Sequence, residues 1–94
     1  MIGVLAKLTI QSGTNLKFED TIRKMREAVS KNEAGNIYYD VYKGEDENTY
    51  IVMERYEERT DLDAHNKTVH FKSIGAELGK FLSAAPDIKI LDSI

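Results

Sequence analysis

The two histidines, His65 and His70, are the side chains of this chain best suited to proton transfer near neutral pH. They lie five positions apart in the segment HNKTVHF, residues 65–71. On a continuous helix that spacing separates side chains by roughly 140°, so it does not give the metal-binding pair of an H-E-x-x-H motif. Either the two histidines face different directions, or the helix breaks between them and they are redirected.

Composition limits the possible functions of the chain. Its 94 residues predict a single domain, residues 1–94, with a hydrophobic content of 41% and a charged content of 31%. The net charge of -3 and the absence of a lysine or arginine run argue against nucleic-acid binding. No apolar segment approaches the ~20 residues of a membrane span, and no secretion signal precedes the first strand, so we expect a cytoplasmic protein. The absence of cysteine excludes thiolate metal sites, disulfides and a cysteine nucleophile.

Hydrophobic periodicity predicts the elements that position the histidines. Alternation predicts strands at residues 2–10, 36–43, 49–56 and 87–94, with a hairpin loop at 44–48. Helical spacing of apolar residues predicts one helix through residues 18–29, ending before Gly35, and another from Phe71 to Phe81 or Leu82. The order βαββαβ is that of an α+β, ferredoxin-like fold.

Capping residues predict where these helices begin. Thr14 or Asn15 is expected to cap the first helix, and Thr60 a short helix that carries His65. Thr68 is expected to cap the next helix, which places His70 in its first turn. The second helix of the fold is therefore split, with one histidine on each part.

One face of the predicted sheet has no helix to cover it. It carries five large apolar or aromatic side chains: Leu5, Tyr38, Tyr42, Ile51 and Met53. An exposed apolar patch of this kind marks an interaction surface. We therefore expect a homodimer that buries one sheet against the other.

Three segments together resemble one known family. Residues 33–42 (EAGNIYYDVY), 48–56 (NTYIVMERY) and 62–71 (LDAHNKTVHF) are similar to the antibiotic biosynthesis monooxygenase (ABM) domain. The family pattern is approximately E-x-G-x-x-x-[YF]-D-V, then [FY]-x-x-x-E-x-[WY], then A-x-x-x-H-x-x-T-x-H-[FY]. The resemblance covers nearly the whole chain. Two residues depart from the common pattern: Val69, where many members have proline, and Tyr56, where tryptophan is common.

The resemblance implies a dimeric α+β barrel with a pocket between the helices and the sheet of each subunit. Members of the family include cofactor-independent monooxygenases of phenols and quinols, haem-degrading enzymes, and enzymes that act on a phosphorylated signalling molecule. The haem-degrading members use an asparagine, a tryptophan and a histidine at positions that hold Ala6, His65 and Gly75 here. We therefore expect neither haem degradation nor another cofactor.

The resemblance makes His65 the candidate catalytic residue. As a general base it would take a proton from a phenolic or enolic substrate, and the electron-rich anion would react directly with O₂. The alternatives are a stacking or hydrogen-bonding role toward the substrate, and a structural histidine that caps helix backbone. The acidic run at residues 45–47 is expected to be a solvated hairpin tip, and no metal site is predicted.

Six further residues are candidates for substrate binding, each with a structural alternative. Glu54 would orient a histidine or pair with Lys7 or Arg55, because a carboxylate among apolar neighbours needs a partner. The aromatic candidates can stack on a flat ring or simply belong to the core. The full set is Asn36, Tyr39, Glu54, Tyr56, His70 and Phe71.

These residues and the family resemblance are compatible with three functions. The first is an oxidoreductase, a cofactor-independent monooxygenase acting on a small aromatic quinol or a related electron-rich compound. The second is non-oxidative, isomerase-like processing of a small signalling metabolite by the same histidine. The third is a dimer that binds a small molecule without catalysis.

Overall fold

The computed structural model describes residues 1–94 as one antiparallel sheet of four strands and three helices. The elements are β1 (Ile2–Thr9), α1 (Asn15–Asn32), β2 (Asn36–Lys43), β3 (Thr49–Tyr56), α2 (Arg59–Lys67), α3 (Val69–Gly79) and β4 (Asp87–Asp92). The strands lie in the order β2-β3-β1-β4. The α+β, ferredoxin-like order with a split second helix is therefore confirmed. No helix combines the length and the apolar character that a membrane crossing demands.

The hydrophobic core lies between one face of the sheet and the helices. Alternate residues of β1 and β3 point into it, and so does the apolar stripe of α1 that the periodicity predicted. Burial of each large apolar side chain contributes about 1.5–3 kcal/mol to folding. The main core cluster comprises Ala6, Leu8, Ile10, Phe18, Ile22, Met25, Val29, Tyr39, Tyr50, Val52 and Leu78.

Helix α1 has Thr14 at its N-cap, one of the two predicted positions, but no side-chain hydrogen bond caps the helix. The Thr14 hydroxyl donates to the carbonyl of Gln11 at 2.7 Å and accepts nothing from the helix. The side chain of Asn15 donates to the carbonyl of Glu47 at 2.6 Å and to the hydroxyl of Tyr50 at 3.0 Å. Both polar side chains therefore connect the start of α1 to neighbouring loops.

The prediction that Thr60 caps α2 is wrong, because the helix begins at Arg59. Glu58 is the N-cap residue, with extended backbone, and its N–H donates to the Asp61 carboxylate at 3.0 Å. An acidic residue at the third helical position satisfies a backbone N–H that the helix itself leaves free.

The prediction that helix α3 extends to Phe81 or Leu82 is wrong, because the helix ends at Gly79. The backbone N–H of Gln11 donates to the carbonyl of Phe81 at 2.7 Å, and Leu82 forms an isolated bridge with Ile10. Pairing with the end of β1 therefore replaces a further turn of helix.

The sheet face away from the helices is open, as predicted. Leu5 is paired with Met53, and Tyr42 with Ile51, on this face, where Tyr42 is 51% exposed and Met53 38% exposed. The edge strand β4 adds further uncovered apolar surface, since Leu91 is 53% exposed. The homodimer that this face predicts stays a prediction.

Candidate active site

The break between α2 and α3 is made by Thr68. Its backbone is extended (φ -67°, ψ 153°), so α2 stops and α3 starts in a new direction. Its hydroxyl accepts from the backbone N–H of Phe71 at 3.1 Å and donates to the carbonyl of His65 at 2.8 Å. One side chain thus caps the start of α3, as predicted, and also holds the end of α2.

The redirected histidines meet at one carboxylate, that of Glu33. The Nδ1 atom of His65 lies 2.9 Å from Oε1 and 2.8 Å from Oε2 of Glu33, and the Nε2 atom of His70 lies 2.5 Å from the same Oε2. Because a carboxylate accepts hydrogen bonds, both imidazole nitrogens act as donors. The sequence assigned separate tasks to the two histidines, whereas the structure joins them in one hydrogen-bonded group.

This cluster of Glu33, His65 and His70 is withdrawn from solvent. The exposed fractions of the three side chains are 9%, 4% and 15%, respectively. Hydrogen bonds that involve a charged group are shorter and about twice as strong as neutral ones, and low local dielectric strengthens them further. The imidazole of His65 is therefore held in a fixed orientation.

Glu33 is not among the predicted site residues, although it is the first residue of the E-x-G pattern. It is the first residue after α1, and its N–H donates to the carbonyl of Val29 at 3.0 Å. Two residues on, an added Cβ at Gly35 would lie 2.1 Å from Cγ of Asp61. The missing side chain at Gly35 lets the start of α2 approach this turn, and α2 carries His65.

Glu54 lies on the other side of His65. Its Oε1 atom accepts from the hydroxyl of Tyr56 at 2.7 Å and is 3.8 Å from Nε2 of His65. Burial raises the pKa of Glu54 above its ordinary value, while the hydrogen bond from Tyr56 and the nearby His65 act in the opposite direction. The structure thus supports the histidine alternative for Glu54. Arg55 turns to the open face, where its guanidinium lies 5.6 Å from the ring centre of Tyr38.

Aromatic rings surround the imidazole of His65. The ring centre of Phe71 is 4.9 Å away in an edge-on arrangement, that of Tyr56 is 5.6 Å away and that of Tyr39 is 6.3 Å away. Burial, followed by the negative charge of Glu54, raises the pKa of both tyrosines well above the usual value. Both hydroxyls therefore stay protonated, and that of Tyr56 donates to Glu54 at 2.7 Å. Their roles toward a substrate stay predictions.

Asn36, the remaining predicted binding residue, is not among the residues that contact either histidine. It begins β2, and its side-chain amide donates to the carbonyl of Tyr38 at 3.0 Å, next to an irregularity in the β2–β3 pairing. It lines a cavity of about 240 Å³ with Arg26, Asp40 and Tyr39, so the cavity brings together two predicted binding residues without reaching a histidine. Its contacts match the alternative in which Asn36 opens the strand.

Access to His65 is restricted in the single subunit, where the residue is 3% exposed. The five main cavities have volumes of about 220 to 580 Å³, and neither histidine nor Glu33 lines any of these five. One of them, of about 220 Å³, does lie between a helix and the sheet, with Ile22 and Arg26 of α1 and Val41 of β2 among its lining residues, but His65 is not one of these. The rings of Phe71 and Tyr56 lie next to the imidazole instead.

The chain is similar to several known proteins. It is 35% identical over 60 residues to a Bacillus subtilis (strain 168) protein described as "Putative monooxygenase YcnE", a match that spans only 63% of each protein. Its fold matches the crystal structure of a putative antibiotic biosynthesis monooxygenase from Caulobacter crescentus, with a TM-score of 0.95 and 33% identity over 99% of this chain and 89% of that chain. It also matches a conserved protein from Methanosarcina mazei, with a TM-score of 0.90 and 27% identity over 96% of this chain and 89% of that one.

Family membership follows from a family model that matches most of the chain. Residues 1–77 match the family model described as antibiotic biosynthesis monooxygenase. This range contains all three segments on which the resemblance rested, and it includes Glu33, His65 and His70. The chain belongs to the antibiotic biosynthesis monooxygenase family.

Proposed function

We propose that the protein is a cofactor-independent monooxygenase that acts on a small aromatic quinol or a related electron-rich phenol. Family membership and the monooxygenase names of the relatives support the reaction class. The observation that carries the assignment of the base is the contact between His65 and Glu33. Because Nδ1 donates to the carboxylate at 2.8 Å, the proton is fixed on that atom and Nε2 is left as the basic nitrogen.

The proposed reaction begins with transfer of a phenolic proton to Nε2 of His65. The positive imidazolium that forms is stabilised by Glu33, as in other histidine bases paired with a carboxylate. The substrate anion then reduces O₂ directly: one oxygen atom enters the product, the other leaves as water, and the substrate supplies the electrons. A positioned general base contributes about 10²- to 10⁴-fold to such a step.

Oxygen consumption tests this proposal. Purified protein is assayed with an oxygen electrode against a panel of quinols and anthrols, together with the His65→Ala variant. Asn66→Ala, at the exposed next position of α2, is the matched control and should retain the wild-type rate. We expect His65→Ala to lose about 10²-fold or more. No uptake above the spontaneous rate, or equal rates for His65→Ala and wild type, would show the proposal to be wrong.

One observation favours a second candidate, a proton-transfer reaction without oxygen. Nε2 of His65 is 3.8 Å from Glu54, whose pKa is raised by burial. A basic imidazole beside a carboxyl group with a raised pKa is a typical acid–base pair of isomerases. Turnover that continues at an undiminished rate under anaerobic conditions would assign the site to this reaction class.

We also propose that the working form is a homodimer. The open face of the sheet supports this, since it carries Met53 and Leu91, which are 38% and 53% exposed in the single subunit. Apolar surface of this extent is typical of an interface. Light scattering at micromolar concentration should give twice the chain mass of 10.7 kDa, and a particle of 10.7 kDa would contradict the proposal.

A further inference from the structure

We propose that Glu33, His65 and His70 form a binding site for one divalent transition-metal ion, with Zn²⁺ as the best-fitting ion. Each residue offers one ligand atom, and the three atoms lie within 4.8 Å of one another. The residues come from three different places in the chain, namely the end of α1, α2 and the first turn of α3. The site therefore exists only in the folded protein.

The donor set fits zinc chemically. Two imidazole nitrogens and one carboxylate oxygen are preferred zinc ligands, and sites with three protein ligands keep a fourth position for water or another small molecule. Zinc bonds of about 2.0–2.1 Å place tetrahedral ligand atoms about 3.3 Å apart. The Glu33 oxygen is now 2.8 Å and 2.5 Å from the two nitrogens, so the carboxylate has to withdraw by about 0.5–0.8 Å when the ion enters. The two imidazole nitrogens, which lie within 4.8 Å of each other, have to settle about 3.3 Å apart.

The charge of the cluster also favours a cation. Glu33 is a nearly buried carboxylate, and its ion-pair partners are the two imidazoles, with no lysine or arginine among them. A buried carboxylate without a permanent positive partner is costly. A divalent ion supplies that charge. Each imidazole can move its proton to the other ring nitrogen, so coordination needs no net loss of a proton from the histidines.

A second, independent contact is suitably placed for such a site. Metal-binding histidines generally donate their free ring N–H to a carboxylate or carbonyl, which fixes the ring. With the ion on Nδ1 of His65, the proton is on Nε2, which faces Oε1 of Glu54 at 3.8 Å. Tyr56 holds that carboxylate in place through its 2.7 Å hydrogen bond.

Metal binding would exclude the proposed use of His65 as a base, because coordination of Nδ1 leaves the proton on Nε2. Zinc is therefore expected to inhibit the oxygenase. The binding itself does not rest on the proposed function and is measured without a substrate, so either proposal can fail while the other stands.

Titration of metal-free protein with ZnCl₂ in a calorimeter tests the site. We expect one ion per chain. The same protein with Co²⁺ should show the strong visible absorption of a four-coordinate complex. Glu33→Gln and His70→Gln should each weaken zinc binding by more than tenfold, and Glu54→Gln by about 10- to 100-fold. Glu77→Gln, an exposed residue of α3, is the matched control and should bind as wild type does.

The histidine resonances give a second measurement that needs no variant. His65 and His70 are the only histidines of the chain, so each imidazole can be followed by NMR during the zinc titration. We expect both to shift together and to saturate at one equivalent. Failure of either imidazole to respond, absence of stoichiometric binding, or wild-type affinity in folded Glu33→Gln would overturn the proposal.

Discussion

The close approach of Gly35 to Asp61 leads to a quantitative prediction about how the site is assembled. A Cβ at position 35 would lie 2.1 Å from Cγ of Asp61 and 2.3 Å from its Oδ1. The backbone of Gly35 does not have a positive φ, so the position excludes side chains for steric reasons alone. In Gly35→Ala, Asp61 has to move by more than an ångström, and its contact with the N–H of Glu58 is lost.

The expected magnitude follows from two opposing terms. Loss of the contact at the start of α2 costs about 0.5–2 kcal/mol, and displacement of the partly buried side chain adds strain. Replacement of glycine by alanine also restricts the unfolded chain, which offsets about 0.4–1 kcal/mol. We therefore expect Gly35→Ala to lower the free energy of unfolding by about 1–2 kcal/mol, or to lower Tm by roughly 4–16 °C in a domain of this size.

A double-mutant cycle isolates the contact. The variants Gly35→Ala, Asp61→Ala and the double variant are unfolded with urea at one fixed protein concentration. The Asp61→Ala background removes the three atoms nearest to the added Cβ, so Gly35→Ala should become neutral or stabilising by up to about 1 kcal/mol. Additive effects of the two substitutions, or a Gly35→Ala variant as stable as wild type, would refute the steric explanation.

Three further changes test other parts of the structure. Gly75→Ala in α3 should raise the free energy of unfolding by about 0.5–1 kcal/mol, since nothing lies within 4 Å of the added Cβ; calorimetry measures this. Val69→Pro should keep or raise Tm, because Val69 is the first residue of α3 and is 82% exposed. The preceding residue, Thr68, has a ψ of 153°, which is the backbone conformation that a following proline requires. A lower Tm would contradict this prediction. Met53→Lys on the open sheet face should give a folded monomer of 10.7 kDa in light scattering, and an undisturbed dimer would place the interface elsewhere.

Local patterns were sufficient to predict the order of the elements. The alternation of β1 and the apolar stripe of α1 depend on which face of an element is buried. The spacing of apolar residues in the sequence shows which face that is. The end of α3 was not predictable in this way. Residues 81 and 82 continue a helical pattern, but pairing of Leu82 with Ile10, a residue distant in sequence, takes precedence over it.

In the site, too, features set by neighbouring residues were predictable from the sequence, whereas contacts between distant residues were not. Thr68 indicated a break between the histidines, because capping is a local property, and the structure confirmed it. The point where His65 and His70 converge was not predictable from their spacing, since the third member of the cluster is more than 30 positions away at Glu33. Only the E-x-G pattern marked Glu33, and that pattern does not say which residues the carboxylate contacts.

The E-x-G pattern has a physical explanation in this structure. Gly35 leaves room for Asp61 at the start of α2, so this helix packs directly against the turn that follows α1. Glu33, on the other side of the same turn, then reaches the imidazole of His65 in the second half of α2. The two positions therefore act together: Gly35 leaves space for α2, and Glu33 forms a hydrogen bond with His65 on that helix. A change at Gly35 is expected to misplace His65 relative to its carboxylate, although it replaces neither of these two side chains.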